Sequence, residues 1–132
     1  MNKRVLSNIN LAIVLANKGD HPLAKIGAVL VKNGKVIGVG FNKIKNHPMQ
    51  QRFDKVRGFS GTGIHAEIDC IRNAVRNFND TENATMYIAR VTKNNTLANS
   101  KPCKGCHAAI LEFGISVIYY TDENGEITKG LI

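Results

Sequence analysis

Four residues in two short runs hold the chemistry this sequence can do. They are His65 and Glu67 in His65-Ala66-Glu67, and Cys103 and Cys106 in Pro102-Cys103-Lys104-Gly105-Cys106. One imidazole and two thiolates make three zinc ligands and leave a fourth position open, as catalytic rather than structural zinc sites do. That donor set is formally neutral with a divalent cation, so the metal stays a good Lewis acid and lowers the pKa of a bound water. Glu67 is not needed as a ligand and can face that water to exchange protons with it. Cys103 and Cys106, at i and i+3, share one face at the first turn of a helix. Pro102 suits a helix start, and the positive dipole end there favours thiolate over thiol.

Each run alone says little. A C-x-x-C pair also serves redox chemistry or forms half of a structural zinc knuckle, and a lone H-x-E is uninformative. A structural site needs a fourth cysteine or histidine, and Cys70 and His107 are the nearby candidates. Cys70 comes five positions after His65, which turns it about 140° away around a helix. His107 directly follows Cys106 and should face elsewhere. The open three-ligand site is therefore the stronger reading.

Periodicity outlines the elements that must position these residues. Val5, Ile9, Ala12, Ile13 and Ala16 form an apolar stripe on an opening helix that ends near Gly19. Ile26 to Val31 reads as a buried strand. Asn33-Gly34 is a tight hairpin signal, and a return strand follows from about Lys35 to Phe41. Asn42 to Ile64 is a long connection with little periodicity. A helix from His65 to about Phe78 repeats Ile68, Ile71, Ala74, Val75 and Phe78 at helical spacing. Thr85 to Thr92 reads as a strand and Lys93 to Lys101 as a polar connection. The Cys103 helix runs to about Phe113, with Gly114 as its stop. Ile115 to Tyr120 is the last clear strand, with Tyr119 and Tyr120 alternating between core and solvent. Asp122 to Gly125 is a turn, with room after it for a short strand only. This order predicts an α/β fold, a mixed sheet with helices packed on it, in a single domain over residues 1–132.

The two motifs in this order resemble the cytidine and deoxycytidylate deaminase superfamily. Ile26-Gly27-Ala28-Val29-Leu30-Val31, Gly38-Val39-Gly40-Phe41-Asn42, Met86-Tyr87-Ile88-Ala89 and Val117-Ile118-Tyr119-Tyr120 extend the resemblance from about Ala12 to Tyr120. It implies a three-layer cytidine-deaminase-like fold, with helices on both faces of a mixed central sheet. It implies Zn2+ held by His65, Cys103 and Cys106, and hydrolytic deamination with Glu67 cycling protons. It also implies that Asn42 contacts the substrate sugar and that the backbone N–H of Ala66 meets the base carbonyl. The backbone carbonyl of Lys101 would receive the leaving amino group. Lys101 itself departs from the serine, threonine or glutamate often found before Pro-Cys. A histidine first ligand looks more like the deoxycytidylate, transfer RNA and nucleic-acid deaminases than the small tetrameric cytidine deaminases. The implied reaction converts a cytosine nucleoside or nucleotide, of deoxycytidine or deoxycytidylate type, to its uracil form with release of ammonia. The alternatives are a cytosine or adenine deaminase of single-stranded DNA or RNA, and a zinc-stabilised binding module. A binding module would have no use for Glu67. Family members are commonly oligomers, so a homo-oligomer is expected.

The connection from Asn42 to Ile64 carries Lys43, Lys45, Arg52, Lys55 and Arg57 against the single acid Asp54, with Phe53 and Phe59 as apolar points. It reads either as a phosphate-binding lid over a nucleotide or nucleic-acid strand, or as a solvated surface. The net charge of +8 fits both. The absence of Trp weighs against strand tracking, which usually stacks bases on aromatic side chains. A hydrophobic fraction of 43% argues against disorder. No apolar run approaches the ~20 residues of a membrane helix, so no membrane partner is expected. No signal peptide is expected from Met1-Asn2-Lys3-Arg4. Three cysteines, two assigned to zinc, suit a reducing cytosol, so the expected location is cytoplasmic. His21 and His107 read as surface or satisfied polar residues.

Overall fold

The computed structural model describes residues 2–19, 25–57 and 63–131. Helix α1 (Lys3–Ala16) begins at Asn2, whose side chain accepts from the Arg4 N–H. Strands β1 (Lys25–Lys32) and β2 (Lys35–Phe41) follow as an antiparallel hairpin. Asn33 and Gly34 take φ of 53° and 76°, the two positive values that the tightest hairpin turn requires. Then come α2 (Pro48–Arg57), α3 (Ala66–Arg76), β3 (Thr85–Val91), β4 (Leu97–Ala98), α4 (Lys104–Glu112), β5 (Val117–Thr121) and β6 (Ile127–Leu131).

The sheet order is β2-β1-β3-β5-β6, with β4 paired to β3 off this path. Among the described residues, only β3 and β5 pair in parallel, Thr85 opposite Val117 through Ile88 opposite Tyr120. The other strand pairs are antiparallel, so the sheet is mixed. Its two faces feed separate cores. On one, α1 places Val5, Ile9, Ala12 and Leu15 against Val29, Val31, Tyr87 and Ala89. On the other, α2, α3 and α4 bury Phe53, Ile68, Ile71 and Ile110 against Leu30, Met86, Ile88 and Ile118. Alternation along β1 sends Ala28 and Leu30 one way and Val29 and Val31 the other. This is the three-layer architecture that the resemblance implied.

The Gly38-Val39-Gly40 run sets the spacing between β2 and α3. A Cβ at Gly40 would lie 2.7 Å from the Ala66 carbonyl oxygen, and one at Gly38 would lie 2.7 Å from that of Cys70. Both contacts are to backbone, so only glycine lets the helix settle on the strand this closely.

Four expectations need correction. The connection from Asn42 to Ile64 is not structureless: α2 runs through it. Its inward face is Met49, Gln50, Phe53 and Asp54, and the two buried polar side chains mask the apolar period. Pro48 is the first residue of α2, where its missing N–H costs nothing. The polar connection before Lys101 contains β4, too short to show a period. Tyr119 and Tyr120 do alternate, but neither faces open solvent. Tyr119 stacks on Tyr87 beneath α1, with ring centroids 5.2 Å apart, and Tyr120 packs on the opposite core. The α3 helix is also shorter at its end than expected, with Asn77 as C-cap and Phe78 beyond it. His21, Phe59 and the side chain of Arg57 lie outside the described residues.

Candidate metal centre

Two helix starts meet at the site. His65 is the N-cap of α3, with extended backbone (φ −74°, ψ 153°), and its side chain makes no cap hydrogen bond. Instead, ring Nδ1 lies 3.2 Å from Cys106 Sγ and 3.6 Å from Cys103 Sγ. Cys103 is the N-cap of α4, and its sulfur accepts from the Cys106 N–H at 3.5 Å. One donor atom from each of the three residues falls within 4.8 Å of the others. Zinc–nitrogen and zinc–sulfur bonds of about 2.0 and 2.3 Å at a tetrahedral angle place N and S about 3.6 Å apart. The observed separations therefore fit that ion, with Nδ1 as the ligating nitrogen. Helix dipoles from α3 and α4 add positive potential that favours thiolate.

The two thiols differ electrostatically. The Cys103 thiol is pushed down to about 3, chiefly by the hydrogen bond from Cys106 and further by His65, against the opposing effect of burial. The same bond holds the proton on Cys106, whose pKa is raised, with burial and Glu67 adding to the effect. A divalent cation would displace that remaining proton on binding. Glu67 is buried beside the sulfurs, and burial raises its carboxyl above the usual range. His65 and a hydrogen bond with Cys106 pull partly the other way.

The remaining expected site residues fall around this centre. Ala66 is fully buried at the first position of α3, where an amide N–H has no intrahelical acceptor. Asn42 is buried at the end of β2. Its N–H donates to the Ile26 carbonyl at 3.2 Å, and its Oδ1 accepts from the Ile26 N–H at 2.9 Å. Lys101 is exposed and lines an open recess of about 220 Å³ with Asn99, Tyr120, Asp122 and Glu123. The segment before it is pinned by Ser100, whose N–H donates to the Thr121 carbonyl at 2.7 Å and whose Oγ accepts from the Thr121 N–H at 2.9 Å. Cys70 is wholly buried, holds its proton because of that burial, and stands outside the donor cluster, as does His107.

Among the described residues of the basic segment, two of the cations are paired with acids. Lys43 Nζ is 2.6 Å from Asp69 Oδ2, and Arg52 pairs with Glu112 on α4. Lys45 lines a small recess of about 130 Å³ with Lys43, His47 and Arg72, while Lys55 is exposed.

Sequence reading missed two supporting groups. Asp69 is fully buried and binds the Phe41 N–H at 3.2 Å, Lys43, and Arg72 at 2.7 Å, tying α3 to the end of β2. Its signal was an acid in the first turn of a helix. Gln50 on α2 accepts from the backbone N–H of His65, and Asp54, one turn on, accepts from the Gln50 amide. Their i, i+4 spacing was readable only once a helix was assigned there.

Comparison with known proteins adds an independent line. The family model described as "Cytidine and deoxycytidylate deaminase zinc-binding region" matches residues 4–122. Deoxycytidylate deaminase of Enterobacteria phage T4 is 27% identical over 155 aligned residues, covering 86% of this chain and 75% of that protein. Among solved structures, cytidine deaminase from Burkholderia pseudomallei superposes with TM-score 0.69 at 20% identity, covering 99% of this chain and 93% of the other. The dCMP deaminase of cyanophage S-TIM5 in apo form gives TM-score 0.67 at 19% identity, covering 93% and 86%. At these identities the two structures speak for the fold.

Proposed function

We propose that this chain, which belongs to the cytidine and deoxycytidylate deaminase family, hydrolyses the exocyclic C–N bond of a cytosine nucleoside or nucleotide of deoxycytidine or deoxycytidylate type. The observation that carries the reading is the convergence of His65 Nδ1 and two cysteine sulfurs beside the buried carboxyl of Glu67. The phage T4 relative, named a deoxycytidylate deaminase, supports the nucleotide form, as does the S-TIM5 enzyme's structure in complex with dCMP and dUMP. On this reading residues 1–132 act as one domain, and copies associate as a homo-oligomer.

His65, Cys103 and Cys106 would hold zinc, which supplies Lewis acidity to activate a water at neutral pH. Glu67 would take a proton from the attacking water as its oxygen bonds to the ring carbon that carries the amino group, and pass it to the adjacent ring nitrogen. A second transfer through Glu67 protonates the amino group, the C–N bond breaks, and ammonia leaves as the carbonyl forms. The raised pKa of Glu67 suits a group that must both accept and return a proton. On this reading the Ala66 N–H would bind the base carbonyl and the Lys101 carbonyl would receive the amino group. Asn42 would orient the sugar, its side chain held by the start of β1.

Ammonia release from purified zinc protein tests this directly. The panel is deoxycytidine, cytidine, their monophosphates, guanine, and single-stranded oligonucleotides containing cytosine or adenine. Turnover of deoxycytidine or its monophosphate supports the proposal. Turnover of oligonucleotides alone would replace it with the polymer reading.

A further inference from the structure

We infer that Gln50, itself held by Asp54, is a positioning residue for the histidine of the metal centre. The inference rests on the reading of that centre given above. Gln50 and Asp54 are each 1% exposed, on the face of α2 that packs inward beside Phe53. Burying an amide and a carboxylate is unfavourable unless both find hydrogen-bond partners. Gln50 Oε1 accepts from the backbone N–H of His65 at 2.8 Å, and its Nε2 donates to Asp54 Oδ1 at 2.9 Å. The order of this relay is fixed by chemistry. A backbone N–H can only donate, so the amide oxygen must face it. The amide nitrogen must then face an acceptor, and Asp54 Oδ1 is one.

The bonded group matters. His65 precedes α3, so its N–H is not part of the helix ladder, and Gln50 Oε1 is its acceptor. The backbone on either side is already fixed. Ile64 exchanges two 3.0 Å hydrogen bonds with Lys43, and the His65 carbonyl accepts from Asp69 N–H at 3.0 Å. Gln50 supplies the missing restraint between them. With the backbone of His65 held on both sides, its ring is aimed so that Nδ1 meets both sulfurs. Packing alone does not require this arrangement, since Met49 and Phe53 already serve α2 as apolar contacts.

The test reads the metal first and activity second. Gln50→Leu keeps the size and removes both hydrogen bonds. Zinc affinity, measured by chelator competition, should fall roughly 10–100-fold, the range seen when supports of metal ligands are removed. The visible d–d bands of the cobalt(II)-substituted protein should shift. In turnover, kcat should fall while KM stays within about threefold. The double substitution Gln50→Glu with Asp54→Asn reverses the polarity of the pair but leaves an acceptor facing His65. It should restore zinc affinity and the cobalt spectrum. Wild-type affinity and spectrum in Gln50→Leu would overturn the inference. So would a double variant that folds, by circular dichroism, yet stays as impaired as Gln50→Leu. If Gln50→Leu fails to fold, the double variant alone decides, by matching or missing wild-type affinity. Failure of the functional reading looks different: wild-type protein would then bind no zinc, or bind it and release no ammonia.

Discussion

The two helix starts at the metal centre are supported in opposite ways. The α4 start is self-contained: Cys103 caps its own helix by accepting from the Cys106 N–H, so two ligands and their support lie within four residues. The α3 start is borrowed. His65 makes no side-chain cap, and its N–H is held by Gln50 from α2, fifteen positions earlier in the chain. One half of the centre is thus encoded locally and the other by tertiary packing. Damage to the first should be abrupt and chemical. Damage to the second should pass through the position of a helix.

The sharpest break is on the local side. Cys103→Ala removes a proposed ligand and the α4 cap together, so bound zinc should drop from one per chain to near zero and deamination should disappear. Metal analysis by atomic absorption checks it; full occupancy in that variant would overturn the donor assignment.

Glu67→Gln sits between the halves and should separate chemistry from metal binding. Turnover should fall by roughly 10²–10⁴-fold, with zinc content unchanged. The same variant has a stability signature. Burial raises the Glu67 pKa in the fold, so its stabilising contribution is present below the ordinary carboxylate range and lost as pH rises through the raised value. Metal-free Glu67→Gln should therefore melt above metal-free wild type at neutral pH, and the gap should close in acid. Thermal melts across pH give the sign.

Gly40→Ala probes the borrowed side. The new methyl would meet the Ala66 carbonyl at 2.7 Å and push α3 off β2. A loss of about 1–3 kcal/mol is expected, as for overpacked cores. Zinc affinity should weaken through displacement of His65, while the Cys103–Cys106 pair is untouched. Denaturant midpoints and chelator competition on one sample would show both effects together.

The smallest effect belongs to the bridge between the halves. Arg52 on α2 pairs with Glu112 on α4, and both are largely exposed, 56% and 45%. Arg52→Gln should cost less than about 1 kcal/mol and lose that difference in high salt. Its KM for a cytosine monophosphate should stay at the wild-type value. A selective rise for the monophosphate over the nucleoside would return Arg52 to phosphate binding.

The same contrast explains what the sequence could show. The thiolate half was legible because ligand, spacing and cap all fall inside Pro102 to Cys106. The strands were legible where alternation was clean, as in β1, and the hairpin from Asn33-Gly34. The supports of His65 were not, because α2 buries Gln50 and Asp54 where a helix normally shows apolar side chains. Lys43 and Arg52 looked like free cations for a similar reason: their acids, Asp69 and Glu112, are remote in sequence. One of Tyr119 and Tyr120 reads as exposed only if one face of β5 is bare, and helices cover both faces of this sheet.

The parallel pairing of β3 with β5 has a consequence for how the centre is assembled in time. His65 precedes that pair, and the two cysteines lie in the crossover between its strands. Bringing them together requires that crossover to close and the two strands to find each other, a non-local step of the kind that slows folding. A partly folded chain therefore exposes a lone imidazole or a lone dithiol, each a weak ligand set. On the proposed zinc assignment, metal capture would follow closure of that crossover.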